Sequence, residues 1–368
     1  MKANPARSAI STDTTAFLWA KSAPAAGLRS TVAIAIALLV GHLSGHVSAG
    51  AIAGGAAYTV GYAVFHEALS SALLSMTLVT LGIATGTLAG SLGAEWTPVV
   101  LLLALIAAVN YGLLSGINAT AGWVGQQSAV FVIVASYFPM GPHYALGRTG
   151  MVLAGGALQM LVFTLFQVVR HPAVESVAPP IAVRLRSRVL ELWQKLRDET
   201  HLRTDTGSYI VRLAVTLLLC TALYRYFHVR NGYWSPMTAL LVLKPQWTGT
   251  VSRSIARLTG TLVAVGVALV LALYMPIETW LIFALVLLSA WASYATQAVN
   301  YAMFSLFVTL YIVFLFRFGG FSQTSAAHLR LLNTAVGGGV ALVVDALWQK
   351  LGRKWPAPSS GADPVQMS

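Results

Sequence analysis

The sequence predicts an all-α polytopic membrane protein, and its composition and hydropathy pattern lead to that fold class. The chain has 368 residues, 57% hydrophobic and 9% charged, whereas soluble domains carry about 25% charged residues. Apolar stretches long enough to cross a bilayer as helices, about 20 residues each, recur in two groups. A polar interval rich in Lys and Arg separates the groups. We therefore predict about 12 transmembrane helices, six on each side of that interval.

The same pattern divides the chain into two membrane repeats, a linker and two tails. The predicted domains are a cytoplasmic N-terminal tail (1–27), a first six-helix repeat (28–169), a basic amphipathic linker (170–207), a second six-helix repeat (208–350) and a cytoplasmic C-terminal tail (351–368). In the linker, apolar residues recur at helical spacing among basic ones, which favours a helix lying on the cytoplasmic leaflet.

Short features recur in matching order in the two groups and indicate a duplication. They are Thr85-Gly-Thr-Leu88 with Thr259-Gly-Thr-Leu262, and Arg148 ahead of Gly155-Gly156 with Arg330 ahead of Gly337-Gly338. Because each repeat has an even number of spans, both repeats face the same way. The sequence therefore predicts parallel repeats related by an axis along the membrane normal.

The net charge of +12 is explained by membrane topology rather than by nucleic acid. With the N-terminus in the cytoplasm, most of the Lys and Arg residues fall in segments on the cytoplasmic side, as in other membrane proteins. We therefore expect both termini to be cytoplasmic and no nucleic-acid partner.

No sequence pattern points to an enzyme, a cofactor or a metal site. The chain has 11 acidic residues and one cysteine, and it lacks a phosphate-binding loop ending in Lys-Ser/Thr and a serine nucleophile elbow. His42 and His46 are four residues apart but have no third metal ligand nearby in the sequence. We predict no catalytic residues, cofactor or bound metal.

The candidate substrate site lies around the eighth predicted span, residues 233–247, which is short and followed by a basic turn. Lys244, Arg253 and Arg257 form a cationic cluster there. Because arginine binds carboxylates with two donors, this cluster is a candidate site that attracts an organic anion. The alternative is that these cations only anchor the topology. Tyr233 and Trp234 flank the span, either as an interfacial aromatic belt or as a surface for an aromatic ligand.

Two further arginines are candidates at the opposite side of the membrane. Arg148 and Arg330 begin the sixth and twelfth predicted spans from the outer side, at matching places in the two repeats. They are candidates for lining an exit, or they extend to the interface as isolated cations. Asp345, near the inner end of the last span, is either a proton carrier or a paired structural acid.

The segments Tyr233-Trp-Ser-Pro-Met-Thr-Ala239, Leu243-Lys-Pro245 and Arg253-Ser-Ile-Ala-Arg-Leu-Thr-Gly-Thr261 resemble the signature of the fusaric-acid-resistance family. That family includes bacterial aromatic acid exporters and is distantly similar to plant aluminium-activated malate transporters. The resemblance covers the second half of the chain and is weak over the first half. By matching position it carries over Tyr233, Trp234, Lys244, Arg253, Arg257, Gly260 and Thr261.

The resemblance implies a bacterial inner-membrane protein that exports aromatic or other organic carboxylates, driven by the proton motive force, and it allows a homodimer. We hypothesise that Lys244, Arg253 and Arg257 attract the carboxylate from the cytoplasm and that Tyr233 and Trp234 contact its apolar part. A passive anion channel is the first alternative. A non-transporting membrane scaffold, whose linker recruits partners or lipid, is the second.

Overall fold

A computed structural model describes residues 13–66, 71–139, 141–170, 205–274 and 278–352. Within these ranges the chain forms α-helices and two short 3-10 helices, at Trp19–Lys21 and Tyr62–Phe65, and no strands. The α-helices are α1 Pro24–Leu43, α2 Val47–Gly61, α3 Ala72–Gly93, α4 Thr97–Ile117, α5 Ala119–Ala135, α6 Gly141–Arg170, α7 Asp205–Tyr226, α8 Trp234–Val242, α9 Trp247–Tyr274, α10 Thr279–Thr296, α11 Tyr301–Phe318 and α12 Gln323–Gly352.

Ten of the described helices are long and apolar enough to cross a membrane, compared with about twelve predicted spans. The second of these spans includes the 3-10 helix that follows α2. The two shorter helices are α5, with 17 residues, and α8, with 9 residues. At 1.5 Å per residue α8 is only about 14 Å long, about half the thickness of a bilayer core. Pro236 and Pro245 lie at its two ends and limit its length.

The ninth predicted span begins earlier than the sequence indicated. We predicted a basic turn followed by a span from about residue 257, but α9 begins at Trp247 and runs for 28 residues. Arg253 and Arg257 therefore lie on one helix, one turn apart, rather than in a connecting turn. The residues that follow Pro245, Gln246-Trp-Thr-Gly-Thr-Val-Ser252, are mostly weak helix formers. Thr250 and Ser252 are buried in the helix, so packing rather than local propensity extends α9 back to Trp247.

The helices of the two halves have the same neighbours. The third helix of each half packs on the fifth and the sixth, the fourth packs on the fifth, and the second packs on the sixth. Across the halves, α4 packs on α7 and α10 packs on α1. The caps correspond too, because Asn118 caps α5 by accepting from the Ala121 amide at 2.8 Å and Asn300 caps α11 from Met303 at 3.0 Å.

The glycines of the recurring sequence features lie at matching close contacts between helices. A Cβ atom at Gly86 would lie 2.6 Å from the Ser128 carbonyl oxygen, and one at Gly260 would lie 2.2 Å from that of Ala302. Gly155 and Gly337 meet the backbone of α2 and of α8 in the same way, at 2.1 and 2.2 Å. Small residues at these positions let the helix backbones approach closely.

Buried apolar clusters join the two halves into one bundle. One cluster includes Ile133 of α5 with Leu213 and Leu240 of α7 and α8. Another includes Leu38 of α1 with Phe314 of α11. The cavity described below lies between the halves and is lined from both.

The predicted tails and linker are only partly covered by the structure. Residues 13–23 of the predicted N-terminal tail are described and contact the connection between α10 and α11. Most of the predicted linker 170–207 and of the predicted C-terminal tail 351–368 lies outside the described residues. The amphipathic helix in the linker and the cytoplasmic placement of the tails stay predictions.

Candidate functional site

A cavity of about 530 Å³ lies in the middle of the bundle, and all seven predicted site residues line it. These residues are Arg148, Tyr233, Trp234, Lys244, Arg253, Arg257 and Arg330. From the sequence we expected these residues in two separate regions, a cytoplasmic entrance and an outer exit. In the structure α6, α8, α9, α12 and the α8–α9 connection bring them to one space.

The charge of the cavity lining is strongly positive. Five Lys or Arg side chains line it, and none of the described lining residues is Asp or Glu. The remaining lining is mostly apolar and aromatic, with a few hydroxyl and amide groups. Such a surface attracts anions and disfavours cations.

Lys244 and Arg253 lie at the end of the cavity where α9 begins. Burial first, and then the neighbouring Arg253, lower the pKa of Lys244 to about 8. The Arg253 guanidinium lies 4.1 Å from the centre of the Tyr301 ring and 3.6 Å from the Asp13 carboxylate. Its side chain is 36% exposed, so it remains accessible.

Arg257 and Arg330 lie deeper, and the protein leaves most of their donors without partners. Arg257 is 2% exposed and Arg330 is 0% exposed. Among the described residues, nothing accepts a hydrogen bond from Nε or Nη2 of Arg257, or from any guanidinium nitrogen of Arg330. Buried charges are normally paired, because removing an ion from water costs several kcal/mol. The two guanidiniums therefore lack, within the described part of the chain, the partners that buried cations normally have.

Aromatic rings cover the arginines from the side. The Arg330 guanidinium lies 5.3 Å from the centre of a ring of Trp234, and the Arg148 guanidinium lies 4.7 Å from that of Phe138. Such cation–π contacts stabilise a cation without using its hydrogen-bond donors. Arg148 and Arg330 are both the eighth residue of their helices. They line the cavity that also holds the inner cations, and an exit role for them stays a prediction.

Tyr233 and Trp234 belong to the buried core rather than to an interfacial belt. They are 3% and 1% exposed, respectively. The Tyr233 ring lies 4.9 Å from that of Tyr137 and 5.5 Å from that of Trp234. Of the two interpretations left open by the sequence, burial argues against the interfacial belt, and a surface for an aromatic ligand stays a prediction.

The first half of the chain also contributes an aromatic wall, which was not predicted from the sequence. Tyr58 lies on α2 and Tyr62 begins the 3-10 helix that follows it. The Tyr58 ring stacks on Tyr311 of α11 with centroids 4.1 Å apart. The Ser293 hydroxyl lies 2.9 Å from the Tyr58 hydroxyl and 2.7 Å from that of Tyr62. Trp123 of α5 completes the wall. The sequence feature that indicates this wall is a pair of tyrosines four residues apart in a short, Gly-rich span.

A buried ion pair behind the cavity positions the connection that carries Lys244. Arg212 donates to Asp345 of α12 at 2.5 Å and to the Pro245 carbonyl at 2.8 Å. Both side chains are buried, and neither lines the cavity. Asp345 is therefore a paired acid, and Arg212 links α7, α12 and the α8–α9 connection.

The second half of the chain also matches a known family over the helices that carry most of these residues. Residues 219–344 match the family described as fusaric acid resistance protein-like. The chain carries a fusaric acid resistance protein-like segment. This confirms the resemblance recognised from the residues around Tyr233 and Arg253.

Relatives that resemble this chain come from bacteria. The chain is 30% identical to an uncharacterized protein of Haemophilus influenzae over 141 residues, 38% of this chain and 20% of the relative. It is 25% identical to inner membrane protein YccS of Escherichia coli over 167 residues, 45% of this chain and 22% of the relative. It is 30% identical to uncharacterized transporter YdhK of Salmonella typhimurium over 105 residues, 28% of this chain and 15% of the relative.

The matched segment therefore spans well under half the length of each of these relatives. No solved structure matches the chain. Ten described helices long and apolar enough to cross a membrane, together with the similarity to an inner membrane protein, support a multi-pass inner membrane protein.

Proposed function

We propose that this protein is a secondary transporter that exports aromatic or other organic carboxylates. The observation that carries the proposal is one central cavity lined by five cationic side chains and no described acid. Two of those cations are buried with donors that nothing in the described chain accepts. A carboxylate would supply the missing acceptors, since it accepts two parallel hydrogen bonds from one guanidinium.

The size and the walls of the cavity favour an anion with an apolar body. A volume of about 530 Å³ lies within the range of small-molecule sites, about 300–1,000 Å³. Trp234, Tyr58 and Trp123 supply aromatic surface around the cations. An aromatic carboxylate would place its charge on the arginines and its ring against these side chains.

The two-repeat architecture is part of the same proposal. The matching helix neighbours, the matching helix caps and the paired glycine contacts support a duplicated six-helix unit. The cavity lies between the two halves, as do the substrate sites of many transporters with internal repeats. We propose that the α8–α9 end faces the cytoplasm with both termini, because Lys and Arg are concentrated on that side.

The surroundings of the bundle fit lipid. Large apolar side chains on its surface are exposed, among them Leu102 at 55% and Val343 at 58%. We expect lipid to cover them and expect no nucleic-acid partner and no enzymatic activity. A homodimer stays a prediction of the family resemblance.

The deciding experiment measures movement of radiolabelled benzoate in proteoliposomes. The wild-type protein should accumulate benzoate against its gradient when a proton gradient is imposed, and an uncoupler should abolish the accumulation. The variant Arg253→Gln/Arg257→Gln should insert normally and lose transport. Arg225→Gln, which removes an arginine outside the cavity lining, is the matched control and should retain transport.

Other outcomes would favour the alternatives. Benzoate currents that follow the anion gradient and ignore the proton gradient would indicate a passive channel. Neither binding nor movement of benzoate, or of other weak organic acids, would indicate a scaffold. Growth protection by the gene against a panel of weak organic acids, with and without an uncoupler, would test the direction of transport.

A further inference from the structure

The described N-terminal segment, residues 13–23, lies against helix ends that carry cavity residues. The Leu18 amide donates to the Val299 carbonyl at 3.0 Å, and the Ala23 amide donates to Ala295 at 3.1 Å. The Asn300 side chain donates to the Ala16 carbonyl at 2.9 Å. These contacts hold the segment on the connection between α10 and α11, where Gln297 and Tyr301 line the cavity.

The acidic side chain of this segment contacts a cation of the candidate site. The Asp13 carboxylate lies 3.6 Å from Nε of Arg253 and also accepts a hydrogen bond from the Ser252 hydroxyl. It is close enough to Lys244 to oppose the lowering of that lysine's pKa. A carboxylate of the chain itself thus interacts with the cations that the proposed function assigns to the substrate carboxylate.

Asp13 and a substrate carboxylate cannot both bind the Arg253 guanidinium at the same time. Its guanidinium already contacts both the Tyr301 ring and Asp13. A substrate carboxylate that accepts two hydrogen bonds from Arg253 needs two of its guanidinium N–H groups. In addition, the negative charge of the substrate repels the negative charge of Asp13.

We propose that Asp13 is an intramolecular ligand of the inner anion subsite, so that substrate binding at Arg253 and docking of residues 13–23 exclude each other. The proposal deepens the proposed function and rests on it. Docking keeps Arg253 paired when the site is empty. An incoming organic anion displaces Asp13, which releases the segment from the α10–α11 connection.

The apparent affinity for an anion then depends on how often the segment is undocked. The apparent dissociation constant equals the intrinsic one divided by the fraction of the binding-competent state. Because both partners are partly exposed, the pair is of the kind that contributes modestly to stability. Removing the Asp13 charge should therefore tighten anion binding by about 1.5- to 5-fold.

The test uses full-length purified protein and benzoate as the probe, with binding followed by titration calorimetry. Asp13→Asn should bind benzoate more tightly than wild type, and Asp13→Glu should stay within about twofold of wild type. Asp205→Asn is the matched control, because Asp205 is an exposed acid outside the cavity lining. It should not change the affinity.

A second measurement reports docking without requiring benzoate to bind. Lys21 lies inside the docked segment, so trypsin cleaves after it faster when the segment is released. Asp13→Asn should speed this cleavage in the absence of benzoate, and benzoate should speed it in wild type. Equal benzoate affinities and equal cleavage rates in wild type and Asp13→Asn would overturn the proposal and leave the proposed function standing. Failure of wild type and Asp13→Asn alike to bind benzoate would overturn both.

Discussion

Replacing Arg330 with Met should make the empty protein more stable and its anion binding weaker. Arg330 is 0% exposed, and none of its guanidinium nitrogens has an acceptor among the described residues. The contact with Trp234 at 5.3 Å, worth about 2 kcal/mol for a desolvated cation–π pair, returns only part of the desolvation cost of several kcal/mol. Replacing a buried ion pair with apolar side chains of similar volume is often neutral or stabilising by about 1–4 kcal/mol, and Arg330 has no described partner whose loss would offset the gain. We expect a stabilisation in that range.

The loss of binding follows from the same guanidinium. A hydrogen bond to a charged group contributes about 1.5–3 kcal/mol. Since 1.4 kcal/mol corresponds to about tenfold, benzoate should bind about 10- to 150-fold more weakly to Arg330→Met. The assay is thermal unfolding of the ligand-free protein in detergent, combined with calorimetric titration of benzoate.

Arg225→Met is the matched control with the opposite expected pattern. Arg225 donates to the Ala94 carbonyl at 3.0 Å and to the Thr97 hydroxyl at 3.0 Å, which connects α7 with the α3–α4 connection. Its replacement should lower the unfolding temperature and leave benzoate binding unchanged. A lower unfolding temperature with unchanged benzoate affinity in Arg330→Met would show that Arg330 is structural, and the reasoning would be refuted.

Three further predictions concern the pH dependence, the helix contacts and the buried ion pair. Because the pKa of Lys244 is lowered to about 8, its charge is present below that pH and lost above it, so benzoate affinity should fall as pH rises through about 8. A benzoate titration at several pH values tests this, and the benzoate affinity of Lys244→Arg should not change with pH in that range. Gly337→Ala should lower the unfolding temperature, since its Cβ would lie 2.2 Å from a backbone oxygen, whereas Gly339→Ala, with nothing within 4 Å, should raise it; the opposite order would contradict the described α8–α12 contact. Asp345→Asn should destabilise the protein by about 3–5 kcal/mol because it leaves Arg212 buried and unpaired, and Arg212→Met/Asp345→Leu should recover most of that loss. Chemical denaturation of wild type, Asp345→Asn and the double variant measures the free energy of unfolding, and equal values for all three would exclude the proposed role of the pair.

The sequence predicted the positions of the helices more completely than the contacts between them. Hydropathy located all the described membrane helices, because a bilayer core requires long apolar segments whatever their neighbours are. It misplaced the start of α9, because the residues after Pro245 are mostly weak helix formers that tertiary packing holds in the helix. The glycine pairs indicated the duplication, but hydropathy could not show which helix each glycine meets.

Sequence alone determined the all-helical membrane character, the family resemblance and the residue types suited to an anion. Each follows from local composition or from residues close together in the chain. The tertiary structure decided that Arg148, Arg257 and Arg330, far apart in sequence, line one cavity. It also decided that Asp345 is paired with Arg212 and that Asp13 contacts Arg253. These contacts depend on how helices cross and pack, which is set by side chains from distant segments rather than by any local pattern.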